Sequence, residues 1–553
     1  MAKKEKILNI LFWLTVIGYA IYAATFIAIT RIDINGTPYF TLFDDAMISM
    51  QYARNLAGGN GLVWNAGDIP VEGISNPLWT IYMAVFHLFP IPINWMGLPI
   101  KITGAILLLI NLFFIKKITE HLTSPGSVVP LAAVILVAFY YPLNVWSLHG
   151  LEVGLLILIT SAAILMVIRG LVDGKFSFWL YILLGASTLV RIDMLALGLA
   201  TWGFLVIFDP VNRRKHLIWG FLILAGFMMG QTLLRWLYYG DFLPNTYYLK
   251  MTGISPLLRI KRGIYVFVKF VWNFNIILFL LPFLLLIFRR DKAVLYLFLI
   301  FAVQVAYSIY VGGDAWEHRG GSNRFFSVVM PAFMILFVLT LDELRIAILD
   351  RFHLGNPKFG FKWLETLSEI ALVLFTILSL LNFNALLDTL SLQYSFLQKP
   401  TIYTIGEEKV LRMALFVRDI TDEDARILVF AAGGLPYYSQ RYSYDMLGKS
   451  DRVIAHEEMR YDPSKPIIDL RPGHSKWDYA HSIKNLEPDV IPEIWPGTLE
   501  EAQPYLQDYT IIQMEEFKRW LPNGIMYVRT GSPHVNWDKI NPFIIQKSDL
   551  PSS

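Results

Sequence analysis

DDAMISMQYARNLAGGNGLVWNAGDIPVEGISNPLW, Asp44 to Trp79, is the stretch on which the fold of this chain turns. It holds four carboxylates, Asp44, Asp45, Asp68 and Glu72, and its glycines and prolines alternate with Trp, Tyr, Arg and Asn. That mixture describes a shaped loop with short helices rather than a linker. Within it, Ile48, Tyr52 and Leu56 recur every four residues and Gly58-Gly59 follows, so a helix is expected over Ala46 to Ala57. An Asp at a helix start is often an N-cap, and one of the Asp44-Asp45 pair is a candidate for that role. At a water–lipid boundary the same pair is a candidate general base, or a candidate site for a divalent cation.

The flanks establish the boundary. Ile7 to Thr30, behind the basic leader MAKKEK, is an apolar run long enough to cross a bilayer, and a cleaved signal peptide would have a shorter apolar core. The leader is expected to stay cytoplasmic, which puts residues 31–76 outside. Across all 553 residues, 55% are hydrophobic and only 16% charged. The mean hydropathy is +0.49. Such a chain is a polytopic membrane protein. A net charge of +3 gives no nucleic-acid signature, and with no cysteine there is no disulfide framework, thiolate metal site or cysteine nucleophile.

Pro77 to Pro90 is about half a spanning length. If it crossed, Lys116-Lys117 would fall outside. If it lies flat, the next run, Pro99 to Ile115, crosses inward and every later basic loop is cytoplasmic: Lys116-Lys117, Arg169 to Lys175, Arg213 to Lys215, Arg289 to Lys292 and Arg345 to Lys362. The flat placement gives about eleven spans, with later ones near 128–146, 151–168, 176–190, 193–208, 217–236, 264–288, 293–311, 325–341 and 368–386. The loops left outside are those with isolated polar residues beside glycines and aromatics: SLHGLE (147–152), VRID (190–193), YYGDFLPNTYYLK (238–250) and VGGDAWEHRGGSNRF (311–325).

At about Asn384 the composition turns polar. Strand-like runs at Arg426–Phe430, Asp489–Ile491, Thr510–Met514 and Ile525–Arg529 predict an α/β domain over 387–553, following a transmembrane domain over 1–386. An odd number of crossings places that domain outside. GGLPYY (433–438) follows a predicted strand but lacks the spacing of a phosphate loop, and His456, His474 and His481 are too dispersed for a zinc motif.

The candidate residues follow from the outer loops. Arg191, Arg235, Lys250, His318, Arg319 and Arg324 are cations suited to a phosphate, against the alternative that such side chains snorkel to lipid headgroups. Lys250 and Arg324 sit inside the densest motifs. Glu72, Asn76, Glu152, Asp193, Asp241, Asn245 and Asp314 offer acceptors for sugar hydroxyls, and Trp64, Trp79, Tyr247, Tyr248 and Trp316 offer flat apolar faces, although interface aromatics often serve only as a belt. An acid at a span end costs a few kcal/mol unless paired or hydrated, so Glu152 and Asp193 suggest a wet cavity, or a simple pairing of Arg191 with Asp193.

These segments carry a family resemblance. DDAMISMQYARNLAGGNGLVWNAG with VEGISNPLW, then SLHGLE, VRID, YYGDFLPNTYYLK and VGGDAWEHRGGSNRF, resemble in order the motifs of the GT-C type membrane glycosyltransferases related to the mycobacterial terminal β-(1→2) arabinofuranosyltransferase. In the tail, residues 433–456 and 472–491 resemble that family's extracytoplasmic motifs. Ile192 stands where the family commonly has Pro, and Gly320-Gly321-Ser322 extends the GGD loop. The resemblance implies a GT-C architecture with interfacial helices in the first external loop, in a bacterial cytoplasmic membrane. It also implies transfer of a sugar, a pentofuranose such as arabinofuranose, from a polyprenyl-phosphate donor to a cell-envelope glycan or lipid-linked glycan on the outer face. The family's external-loop aspartate carries over onto Asp44 or Asp45; a divalent metal is the one cofactor to consider. The rival classes are a transporter or flippase of a lipid-linked sugar, a GT-C transferase of another sugar, and a glycan-binding scaffold.

Overall fold

The computed structural model describes residues 2–317, 323–351, 362–385, 389–519, 521 and 524–545. The chain folds into two compact units: Met1–Thr30, Ile100–Gln231 and Leu257–Thr401 make the first, and Arg31–Pro99, Thr232–Pro256 and Ile402–Ser553 the second.

The first unit is helical because its long apolar runs leave the backbone no other way to satisfy itself in hydrocarbon. Among the described residues six helices are long and apolar enough to span, including α1 (Ala2–Ile29), α4 (Gly97–Leu122) and α7 (Val153–Asp173), and there are eight if each of two bent pairs counts as one. The chain is thus a multi-pass membrane protein. α8 (Phe178–Val190) and α9 (Met194–Phe208) are shorter apolar helices, and Met330–Arg351 is apolar only until Asp342. The segments read from the sequence as spans are largely helical over the described residues, with breaks within 128–146, 264–288 and 325–341; length and composition certify six to eight spans, against the eleven expected.

Both bends have residue-level causes. α5 (Val129–Phe139) and α6 (Tyr141–Leu148) meet at 51°, where Tyr140 is extended and Pro142 opens the second helix. Asn384 bridges the break, accepting from Tyr141 N at 2.9 Å and donating to Phe139 O at 2.9 Å. Asn144 donates to Ala138 O at 2.9 Å and accepts the Tyr19 hydroxyl at 2.8 Å. The second pair, Pro256–Asn273 and Ile276–Phe288, turns through 106° at Asn275, whose side chain caps the new helix through Ile277 N at 3.1 Å.

In the second unit, β1 (Ile32–Ile34) and β2 (Thr37–Tyr39) form a hairpin through Asn35-Gly36, both at positive φ as a two-residue turn of this hand requires. α2 (Asp44–Ala57) ends at Gly58 as expected, but it is buried on most sides instead of one, so Ser49, Gln51 and Asn55 are interior with Ile48 and Tyr52. α3 (Pro77–His87), 11 residues long, packs against α2. It is too short to span, in keeping with a helix of the loop.

The tail forms a six-stranded mixed sheet of β3 (Arg426–Val429), β4 (Tyr442–Asp445), β5 (Val490–Ile491), β6 (Tyr509–Gln513), β7 (Ile525–Arg529) and β8 (Ile544–Ile545), in the order β4-β3-β5-β7-β6-β8. β3 is parallel to β4 and β5, and the remaining pairs are antiparallel. Leu428, Met446, Ile483, Ile491, Ile511 and Tyr527 lie in its core. β4 escapes sequence detection because its buried positions are Ser443 and Asp445, with the tyrosines on the half-exposed face.

Helix Gly434–Ser439 packs on α2 so closely that a Cβ on Gly433 would sit 2.0 Å from Asp44 O. Gly433→Ala is therefore expected to destabilise the second unit by about 1–3 kcal/mol or more. Gly406→Ala, in a helix where a Cβ would meet nothing within 4 Å, is expected to raise stability by up to ~1 kcal/mol. Thermal melts of the two variants check both signs.

Candidate active site

Asp44 and Asp45 form the first turn of α2, and neither caps it; Phe43 occupies that position and no side-chain cap bond is made. Their carboxylates instead reach two different parts of the tail. Asp44 Oδ1 accepts the Gly434 N–H at 2.8 Å, and Asp45 pairs with Lys449 Nζ. Burial pushes the Asp44 carboxyl up to about 6, against the pull of the Gly434 N–H and Lys449. A carboxylate poised there is matched to general-base work near neutrality.

Lys449 is delivered by a tight loop. Asp445 accepts Leu447 N at 3.0 Å and Ser450 N at 2.7 Å, while Asn245 Nδ2 donates to Gly448 O at 3.0 Å and Lys449 O at 2.9 Å. Gly73 of the VEG motif fits beneath it, where a Cβ would lie 2.8 Å from Lys449 O. His474 is pushed down to about 3 by burial first and then by Lys449, Lys250 and Arg471, with Asp45 acting the other way. Three cations and one carboxylate thus surround a neutral imidazole, a field suited to an anion. Lys250 lies over Gly473, whose Cβ would meet Lys250 Cε at 3.1 Å.

The other candidates of this unit brace it. Glu72 is buried against Arg235, with Arg235 Nη2 to Oε1 at 3.3 Å; burial raises its pKa and Arg235 opposes the rise. Asn76 accepts Ser49 Oγ at 2.8 Å, Trp79 stacks on Tyr82 at 5.1 Å, and Trp64 Nε1 donates to Ala432 O at 3.0 Å. Asp241 pairs with Arg452 at 2.8 Å, and Tyr248 stacks on His456 at 4.3 Å. The buried Lys476 donates to Tyr248 O at 3.0 Å and Ala455 O at 2.8 Å, holding the last turn of helix Asn245–Met251.

A second polar cluster lies within the helical unit. Arg191 clamps Asp193 through two bonds, 2.8 and 2.6 Å, and stands 3.6 Å from Glu152; Gln304 Nε2 donates to Asp193 at 3.2 Å. Arg324 clamps Asp314 in the same bidentate way at 2.7 and 2.8 Å. Arg191 Nη1 donates to Arg324 O at 3.5 Å and its guanidinium lies 4.9 Å over Phe325, joining the two clamps. Glu152, Arg191, Asp193, Asp314 and Arg324 are thus brought together, with Trp316 two residues beyond Asp314. His318 and Arg319 lie outside the described residues.

Asp44, Asp45, Lys250 and Asn245 form one group of the second unit. Sequence reasoning missed Lys449, Arg471 and the neutral His474 there, and Gln304 in the helical cluster. Among the described residues, the group geometrically able to hold a metal is Asp422, Asp424 and His534 on the tail, the two aspartates exposed and the histidine half-buried; Asp44 and Asp45 belong to no such group.

The architecture is the GT-C fold. Over 95% of its length the chain superposes on ArnT from Cupriavidus metallidurans bound to undecaprenyl phosphate, covering 98% of that chain with a TM-score of 0.54 at 13% identity. The apo state of ArnT from that organism gives 0.54 at 11% identity, with 93% and 97% of the two chains covered. The Archaeoglobus fulgidus oligosaccharyltransferase tethered with an acceptor peptide containing the NVT sequon gives 0.50 at 10% identity, over 97% of this chain and 76% of that one. Residues 400–537 match the model of a domain of unknown function, DUF8728. No curated protein matches the chain by sequence.

Arg191→Met takes the guanidinium clamp from Asp193 and is expected to cost roughly 3–5 kcal/mol, whereas the Arg191→Met/Asp193→Leu pair recovers much of it. Arg191→Lys restores charge without the two-bond clamp and is expected to fall between. Melting temperatures of the three variants in detergent check the order.

Proposed function

We propose that this protein transfers a sugar from a polyprenyl-phosphate donor to a glycan acceptor at the outer face of a bacterial cytoplasmic membrane, with Asp44 as the base. The observation that carries this reading is Asp44 itself, its carboxyl raised to about 6 by burial at the start of α2, in the same unit as the Lys449, Lys250 and Arg471 field. The acceptor hydroxyl gives its proton to Asp44 as its oxygen bonds the sugar's anomeric carbon. The bond from that carbon to the donor phosphate breaks, and the polyprenyl phosphate leaves with the electron pair. The leaving phosphate gains negative charge, which cations in a water-restricted site stabilise most in the transition state.

Asp45, paired with Lys449, holds that lysine in place. The likeness to ArnT bound to undecaprenyl phosphate supports a lipid-phosphate donor. The motif resemblance supports a pentofuranose, and the sorting of basic loops supports the outer face as the side of reaction. The two bent helix pairs, 51° and 106°, are the feature that favours the rival, a transporter of lipid-linked sugar.

Purified protein with a synthetic polyprenyl-phosphate pentose and an oligosaccharide acceptor distinguishes them: a transferase makes a new glycosidic bond in detergent, and a transporter makes none. Asp44→Asn is expected to lower the rate by about 10²–10⁴-fold with the melt retained. Wild-type rate should climb as pH rises through about 6, since only the ionised carboxylate is a base. Stability runs the opposite way. The folded state holds the Asp44 proton more tightly than the unfolded chain, so this group's contribution falls as pH rises from the ordinary 3.8 to about 6. A rate unchanged in Asp44→Asn removes it from the site.

A further inference from the structure

A cavity of about 420 Å³ opens between the N-terminal end of α1, the C-terminal end of α4 and the turn that follows α4. All three belong to the helical unit. Its volume lies within the roughly 300–1,000 Å³ of small-molecule sites. Its walls divide by chemistry: Leu8, Phe12 and Leu131 form an apolar part, while Asn9, Ser124 and Ser127 add hydrogen-bonding groups.

The charges are distributed unevenly. Lys116 donates to Asn9 Oδ1 at 3.2 Å, lies 4.5 Å over the Phe12 ring and stands 3.6 Å from Glu120. Glu120 also accepts Lys117 at 2.9 Å, so it is matched twice. Glu5 lines the same cavity, within reach of Gly126, where an added Cβ would lie 3.9 Å from Glu5 Cγ. Among the described residues Glu5 has no ion-pair partner. The cavity therefore presents on one side a lysine that already leans on Glu120, and on another the exposed carboxylate of Glu5, which stands between Lys4 and Lys6 in sequence. Away from it run apolar faces exposed to the bilayer, Trp13 (49%) and Leu14 (58%) on α1, Ile106 (49%) and Ile110 (42%) on α4.

We infer that this cavity binds the headgroup of a zwitterionic phospholipid bearing a primary ammonium, phosphatidylethanolamine. The ammonium faces Glu5, the phosphate faces Lys116 and the serine hydroxyls, and the acyl chains lie along α1 and α4. A phosphatidylglycerol headgroup carries no ammonium to pair with Glu5. A choline headgroup carries the same charge but no N–H to donate to the carboxylate. The site is separate from the proposed transfer chemistry and stands or falls without it.

The test is native mass spectrometry of the full-length protein exchanged into equimolar phosphatidylethanolamine, phosphatidylglycerol and phosphatidylcholine. Wild type is expected to retain phosphatidylethanolamine about tenfold over either competitor. Glu5→Gln should erase that preference, Glu5→Lys should shift it to phosphatidylglycerol, and Glu500→Gln, in the tail, should leave it intact. Melting temperatures confirm that each variant is folded. Equal retention of the three lipids by wild type, or a preference that survives Glu5→Gln, overturns the proposal.

Discussion

Hydrocarbon offers no water to a broken helix or a lone charge, and the arrangement of the helical unit follows from that constraint. The bend between α5 and α6 frees backbone groups at Phe139 and Tyr141, and Asn384, more than two hundred residues away in sequence, satisfies both. The bend at Asn275 is satisfied by Asn275 itself. The acids and arginines obey the same rule: Asp193 and Asp314 each receive a two-toothed guanidinium, and Gln304 takes a further position on Asp193. Polar residues here are expensive alone and tolerable as a network.

The second unit shows how one loop becomes a site. Asp44 and Asp45 are neighbours on the first turn of a helix, so their side chains diverge. One meets the backbone of Gly434, the other the ammonium of Lys449, and both partners come from the tail. Gly433 and Gly73 permit these approaches because their Cβ atoms would collide with the opposing segment. The consequence for chemistry is a separation of roles within a pair of identical residues. Desolvation keeps Asp44 protonatable near pH 6, while Asp45 is committed to an ion pair.

Much of this was legible. The apolar helices, the helix stop at Gly58, the tail strands near 426, 490, 510 and 525, and the short α3 all follow from local pattern, which depends on residues a few positions apart. The pairing of Arg191 with Asp193, two residues away, was open to the same reasoning. Lys449 was not. Its partner Asp45 is 404 positions distant, and nothing in GKSD marks its lysine as interior. β4 was missed for a related reason, since its inward positions are Ser443 and Asp445 and a hydrophobic alternation test is blind to them.

The sequence by itself determined that this chain lives in a membrane, that its runs are helices, and that its loops carry acids beside glycines and aromatics. These are statements about solvent and periodicity, which each segment settles alone. Only the tertiary structure decided which carboxylate would be poised and which would be spent on a lysine. That choice depends on desolvation and on groups brought from distant segments, and two adjacent aspartates are chemically equal until the fold surrounds them differently.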